Sequence, residues 1–150
     1  MGRKILLIED DRETASYLAK GLTQEGHCVD EAYNGQDGLF RATDGSFDLI
    51  ILDPPSFTRT RAAVPDALRG YKEIHLRALK LLKPGGTLAS FCCSHHVTGE
   101  LFQEVILAAA FDARRLLRRT AVYGQAPDHP VIPAIPETEY LKGFAFEVVW

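Results

Sequence analysis

Hydrophobic and polar positions alternate in blocks that change period along the chain. "KILLI", Lys4 to Ile8, is a short continuous apolar run with acid behind it, the pattern of a parallel strand buried on both faces. From Arg12 to Glu25, Ala15, Leu18, Ala19 and Leu22 fall on one helical stripe, and Gly26 supplies a stop. "HCVDEA" is a second, weaker strand, "GQDGLFRA" a short helix, and "FDLIILD" a third strand ending at Asp53. A Pro- and Arg-rich loop, residues 54–66, precedes a helix from about Leu68 to Leu82 whose inner face is Tyr71, Ile74, His75, Ala78 and Leu82. "KPGG" ends that helix and "TLASFCC" is the fourth strand. Phe102, Val105, Ile106, Ala109 and Ala113 stripe another helix; "RRLLRRTAVYG" is a fifth strand and "FAFEVVW" a sixth. Between the last two lies a segment with four prolines, too broken for a helix or an interior strand.

Strands alternating with helices predict one α/β domain over residues 1–150, a three-layer, doubly wound, mostly parallel sheet. The expected strand order is 2-1-3-4-6-5. The last strand is antiparallel, because no helix separates strands five and six. Ligands in such sheets sit beyond the carboxyl ends of the strands, near the switch point. That edge collects Glu9, Asp10, Asp53, Cys92, Cys93, His95 and His96.

Composition adds limits. The chain has 150 residues, 46% of them hydrophobic, enough for a core, and no apolar run approaches the roughly 18 residues of a membrane span. Three cysteines, two of them adjacent, make no disulfide framework, and the start turns acidic where a secretion signal stays apolar, so the cytoplasm is the expected compartment. The net charge of −3 hides a split, −6 over residues 1–53 and +3 over 54–150. Such a split suits an acidic ion site in one half and a phosphate-seeking surface in the other, and it is also ordinary unevenness of surface charge.

Glu9 and Asp10 after strand 1 and Asp53 after strand 3 form an acidic cluster that repels itself unless protons or a cation intervene, and such oxygen ligands suit Mg²⁺. Residues 1 to about 53 resemble the first half of a bacterial response-regulator receiver domain, of flavodoxin-like fold. That resemblance implies a weak Mg²⁺ site at Glu9, Asp10 and Asp53, with Asp53 accepting a phosphoryl group from a histidine kinase. The receiver's later Ser/Thr and Lys-Pro are not matched, since Lys83-Pro84 precedes strand 4.

From about residue 47 to 150 the motifs "LDPPSF", "CCSHH" and "DHPV…PETEYLKG" resemble the carboxyl-terminal half of bacterial 23S ribosomal RNA cytosine-5 methyltransferases, which use S-adenosylmethionine on a Rossmann-like sheet. The resemblance implies Cys93 as nucleophile, Asp53 on the cytosine edge, Phe57 stacked on a base, and Arg59, Arg61 and Arg69 on RNA phosphates. The chemistry needs a thiolate, because cytosine C5 becomes nucleophilic only after addition at C6. Paired cysteines at a strand end are equally read as buried filler. Cys92, Cys93, His95 and His96 lack the spacing of a zinc site.

The two resemblances meet at "FDLIILD". Together they lead to the expectation of an engineered flavodoxin-like/Rossmann-like hybrid without retained activity, not an enzyme, with vestigial Cys93 and Asp53. No bound S-adenosylmethionine or partner, and no membrane contact, is expected of it. The reason is the turn "IEDDRE", which has no glycine for close approach of a cofactor. A remnant RNA methyltransferase and a Mg²⁺-dependent phosphoacceptor are the alternatives.

Overall fold

The computed structural model describes residues 1–35 and 46–150. Six strands form one sheet, β1 (Lys4–Glu9), β2 (Cys28–Ala32), β3 (Phe47–Asp53), β4 (Leu82–Cys92), β5 (Leu117–Tyr123) and β6 (Lys142–Val148). Their order is β2-β1-β3-β4-β6-β5, as the alternation predicts. β1 to β4 are parallel, and β6 runs antiparallel to both β4 and β5. The short helix expected at "GQDGLFRA" falls, apart from Gly35, outside the described residues.

Helix α1 (Arg12–Gln24) packs on one face of the sheet, against Leu7, Val29 and Ile51. Asp11 caps it, its carboxylate accepting the Thr14 N–H at 2.7 Å. Only Ala15 and Ala19 of its stripe are fully buried, and Leu18 is exposed. The helix lies over the β1–β2 side of the sheet, so its contact strip is narrower than the stripe suggests. Helices α2 (Val64–Leu81) and α3 (Gly99–Asp112) cover the opposite face, where Leu6, Ile8, Ile50, Leu52, Leu79, Leu88, Phe102 and Ile106 form the main core.

α2 begins four residues earlier than its apolar pattern indicates, because Pro65 sits in the first turn, where its missing N–H costs nothing. It ends at Leu81, and "KPGG" belongs to the start of β4, with Gly85 at φ +77 and a shift of register against β3. At this amino-terminal edge Asp48 accepts the Lys4 N–H at 2.7 Å and pairs with Lys83 at 2.6 Å, tying β1, β3 and β4 together. Among the described residues no helix is long and apolar enough to cross a membrane.

Candidate functional site

The parallel register sets Glu9 beside Asp53 at the carboxyl ends of β1 and β3. Glu9 is buried, and one of its oxygens accepts the Asp11 N–H at 3.0 Å. Burial, opposed by that bond and reinforced by the Asp53 charge, pushes the Glu9 carboxyl up to about 7. Asp53 is raised as well, chiefly by burial, while its hydrogen bond with Glu9 works the other way. Two carboxyls in one desolvated place therefore share a proton near neutrality. Asp10 is exposed and hydrogen-bonds the same Glu9. Among the described residues no group of three or more His, Cys, Asp or Glu is arranged to hold a metal ion. Lys83, at the opposite end of the strands from Asp53, is already paired with Asp48.

Alternation along β4 separates the two cysteines. Ser90, Cys92 and Ser94 face the helix-covered core, and Cys92 is fully buried, its thiol donating to the Tyr71 hydroxyl at 3.5 Å. Cys93 is half-buried just past the end of β4. Its thiol meets the Ser56 N–H and feels the Asp53 charge from the neighbouring strand end. Burial first, then the Cys92 and Asp53 charges, raise its pKa, and backbone N–H groups oppose the shift. Cys93 and Asp53, singled out in the sequence, are brought together; Cys92 is apolar filler.

The loop from Pro54 is held by its own bonds. Ser56 Oγ donates to the Thr58 carbonyl at 2.9 Å, and the buried Thr58 Oγ1 donates to the Thr60 carbonyl at 2.6 Å. The Phe57 N–H donates to the Tyr71 hydroxyl at 3.4 Å, and the Phe57 ring packs on Tyr71 with centroids 4.6 Å apart. Tyr71 thus backs the Phe57 ring, which also lines the adjoining cleft. Arg59, Arg61 and Arg69 are exposed, Arg69 in an ion pair with Asp66. His95 and His96 are exposed too, His95 edge-on to Tyr140.

Beneath this loop lies a buried polar relay that the sequence pattern does not announce. The ring nitrogens of His75 meet the Tyr71 carbonyl at 2.6 Å and the Ser90 hydroxyl at 2.7 Å. Complete burial drives its pKa down to about 4, so the ring is neutral, donating from Nδ1 to the carbonyl and accepting at Nε2 from Ser90. Lys142 is a second unannounced feature. Its ammonium donates to the carbonyls of Ser94 and Tyr140, the latter at 3.0 Å. Beside the site opens a cleft of about 480 Å³, lined in part by Asp10, Tyr33, Pro54, Pro55, Phe57 and Ile74.

No family model matches the chain. It is similar to "Ribosomal RNA large subunit methyltransferase I" of Yersinia pestis, 47% identical over 110 residues, 73% of this chain and 28% of the relative. The protein of that name from Erwinia tasmaniensis is 36% identical over 153 residues, 98% of this chain and 39% of the relative. The chain thus spans between about a quarter and two fifths of the length of these relatives. Among solved structures it resembles a protein described as a methyltransferase and solved with S-adenosylhomocysteine, at TM-score 0.71 and 17% identity over 98% of this chain and 45% of that one. A methyltransferase homologue from Pyrococcus horikoshii gives TM-score 0.58 and 21% identity over 98% of this chain and 62% of that one.

These findings correct the expectation of a spliced, inactive hybrid that is not an enzyme. The Erwinia likeness covers 98% of the chain and so runs through the supposed join at "FDLIILD". That relative is named as an enzyme. The methyltransferase resemblance of the later residues is upheld, while the receiver resemblance and its histidine kinase gain no support. The six-stranded sheet, with its order and its closing antiparallel strands, is that of the Rossmann-like methyltransferase fold.

Proposed function

We propose that this chain carries the base-handling part of an S-adenosylmethionine-dependent RNA cytosine-5 methyltransferase acting on large-subunit ribosomal RNA. The observation that carries the reading is the half-buried Cys93 just past β4, at the same carboxyl edge of the sheet as Asp53 on the adjacent β3, with its neighbour Cys92 turned into the core.

The residues account for the first half of such a reaction. The Cys93 thiolate adds to C6 of the cytosine, the C5–C6 π electrons move toward N3, and a proton arrives at N3. The carboxyl pair of Glu9 and Asp53 holds a proton near neutral pH, and Asp53 is its member beside the thiol. Asp53 meets the N3 edge, and the proton held on Glu9 reaches N3 through it as C5 becomes enamine-like. The ordered Pro54–Thr60 loop fixes the pocket wall through bonds made before substrate arrives.

The methyl donor fares differently. The cleft beside Tyr33 and Pro54 has room for an adenosyl group. The turn after β1 does not fit the amino-acid end. The Asp11 and Thr14 N–H groups are already bonded to Glu9 and Asp11, so the helix start offers neither donor to a carboxylate and surrounds it with acids. No step is assigned through that group.

The test is incubation with a large-subunit ribosomal RNA fragment containing 5-azacytidine, whose C6 is more electrophilic than that of cytosine. A Cys93–RNA adduct found by mass, absent in Cys93→Ala and kept in Cys92→Ala, is expected. Tritium transfer from labelled S-adenosylmethionine to unmodified RNA is the companion assay. No adduct from a chain whose Cys93 alkylates normally overturns the proposal.

A further inference from the structure

A nucleophilic thiol works as thiolate, yet burial, Cys92 and the Asp53 carboxylate all hold the Cys93 proton on. The groups facing it are Asp53 on β3, the Ser56 N–H in the following loop, Tyr71 on α2, whose hydroxyl feels both cysteines, and Lys142 on β6. Only the last of these carries a positive charge.

Lys142 stands directly across the antiparallel ladder from Cys92, so its side chain leaves the sheet on the Cys92 face and reaches the Cys93–Ser94 turn past the strand end. Its ammonium donates to the carbonyl of Ser94, the residue after Cys93, and to that of Tyr140. Both acceptors are neutral, and among the described residues no carboxylate forms an ion pair with it. Half-buried, it loses hydration, which pushes its pKa down; Cys92, Cys93 and Glu139 act the other way. The ammonium favours a thiolate at either cysteine, Cys92 ahead of Cys93, and its hydrogen bond to the Ser94 carbonyl holds it beside the Cys93 turn.

We infer that Lys142 is the positioning residue of the thiol site: it clamps the Cys93–Ser94 turn through the Ser94 carbonyl and supplies the positive charge against which the Cys93 thiolate forms. The inference rests on Cys93 being the nucleophile. It extends the site to a strand near the carboxyl terminus, nearly fifty residues away in sequence. It also explains why both groups that the ammonium hydrogen-bonds are neutral carbonyls. Carbonyl oxygens steady the cation without cancelling its charge, leaving the thiolate as its counterion.

The experiment follows iodoacetamide alkylation of Cys93 against pH, read by peptide mass in the full chain carrying Cys28→Ser, which removes the exposed thiol. Lys142→Gln keeps a donor for the Ser94 carbonyl without the charge; Lys142→Met removes both; Lys142→Arg keeps both. Expected at pH 7.5 is a rate about tenfold lower in the Gln variant, with its midpoint about one pH unit higher. The Met variant is expected to be slower still, and the Arg variant to stay within about threefold of the parent. Circular dichroism verifies folding, and the Gln and Arg variants decide the matter if Met does not fold. A Gln variant with the parent's rate and midpoint overturns the charge role; a Met variant equal to Gln overturns the clamp. These readouts need no RNA, so failure of the azacytidine adduct with normal alkylation behaviour sinks the nucleophile reading alone.

Discussion

At the scale of single residues, adjacent cysteines have opposite fates because a strand turns successive side chains to opposite faces. Cys92→Ser places a hydroxyl in an apolar wall with Tyr71 as its partner, and it is expected to cost about 1–2 kcal/mol in urea unfolding while leaving Cys93 alkylation unchanged. Cys93→Ser is expected to leave stability within about 0.5 kcal/mol and abolish the adduct. The parity was there to read, since Ser90, Cys92 and Ser94 share a face once the strand phase is set by buried Leu88. The His75–Ser90 pair was not: its partners lie on different elements, and nothing local marks a histidine on an apolar helix stripe as hydrogen-bonded. The role of Lys142 was equally hidden, because it depends on which carbonyl faces it across the sheet.

At the scale of elements, strand order and direction followed from alternation and from the missing crossover before β6, both long-range rules that need only element types. Lengths were less legible. The α2 start was lost in a loop composition, and "KPGG" carried the signs of a helix stop while serving as an irregular strand start. The β4–β6 pairing that carries Lys142 depends on Gly143. A Cβ there would lie 2.6 Å from Phe91 Cδ1 and 3.1 Å from Tyr123 Cβ. Gly143→Ala is therefore expected to destabilise the chain by about 1–3 kcal/mol, read by chemical denaturation. It is also expected to slow Cys93 alkylation, since the ladder that aims the ammonium is forced apart. Unchanged stability and alkylation would show that the Phe91 ring yields freely.

At the scale of the whole molecule, one sheet crosses the boundary between the two halves of the sequence, so we expect one thermal transition rather than two. Glu9 and His75 pull the pH response of that transition in opposite senses, with Asp53, raised as well, on the side of Glu9. Glu9, raised from 4.5 to about 7, keeps in the fold a proton that the unfolded chain releases, so its contribution to stability falls as pH rises through that window. His75, lowered from 6.5 to about 4, refuses a proton that the unfolded chain accepts, so its contribution falls as pH drops through that window. Each effect is on the order of 3 kcal/mol, and the two oppose each other between about pH 4.5 and 6.5. The parent is expected to melt at nearly constant temperature there. Glu9→Gln, which leaves His75 unopposed, is expected to gain several degrees from pH 4.5 to 6.5, and a flat profile in that variant would show that Glu9 holds no proton in the fold. The same opposition has a calorimetric consequence. Near pH 5.5 unfolding sheds one proton from Glu9 and takes one up on His75, so the solvent sees almost no net exchange. The measured heat of unfolding should then be the same in a carboxylate and in an amine buffer, whereas in Glu9→Gln the buffer supplies the proton and its own heat of ionisation enters the signal.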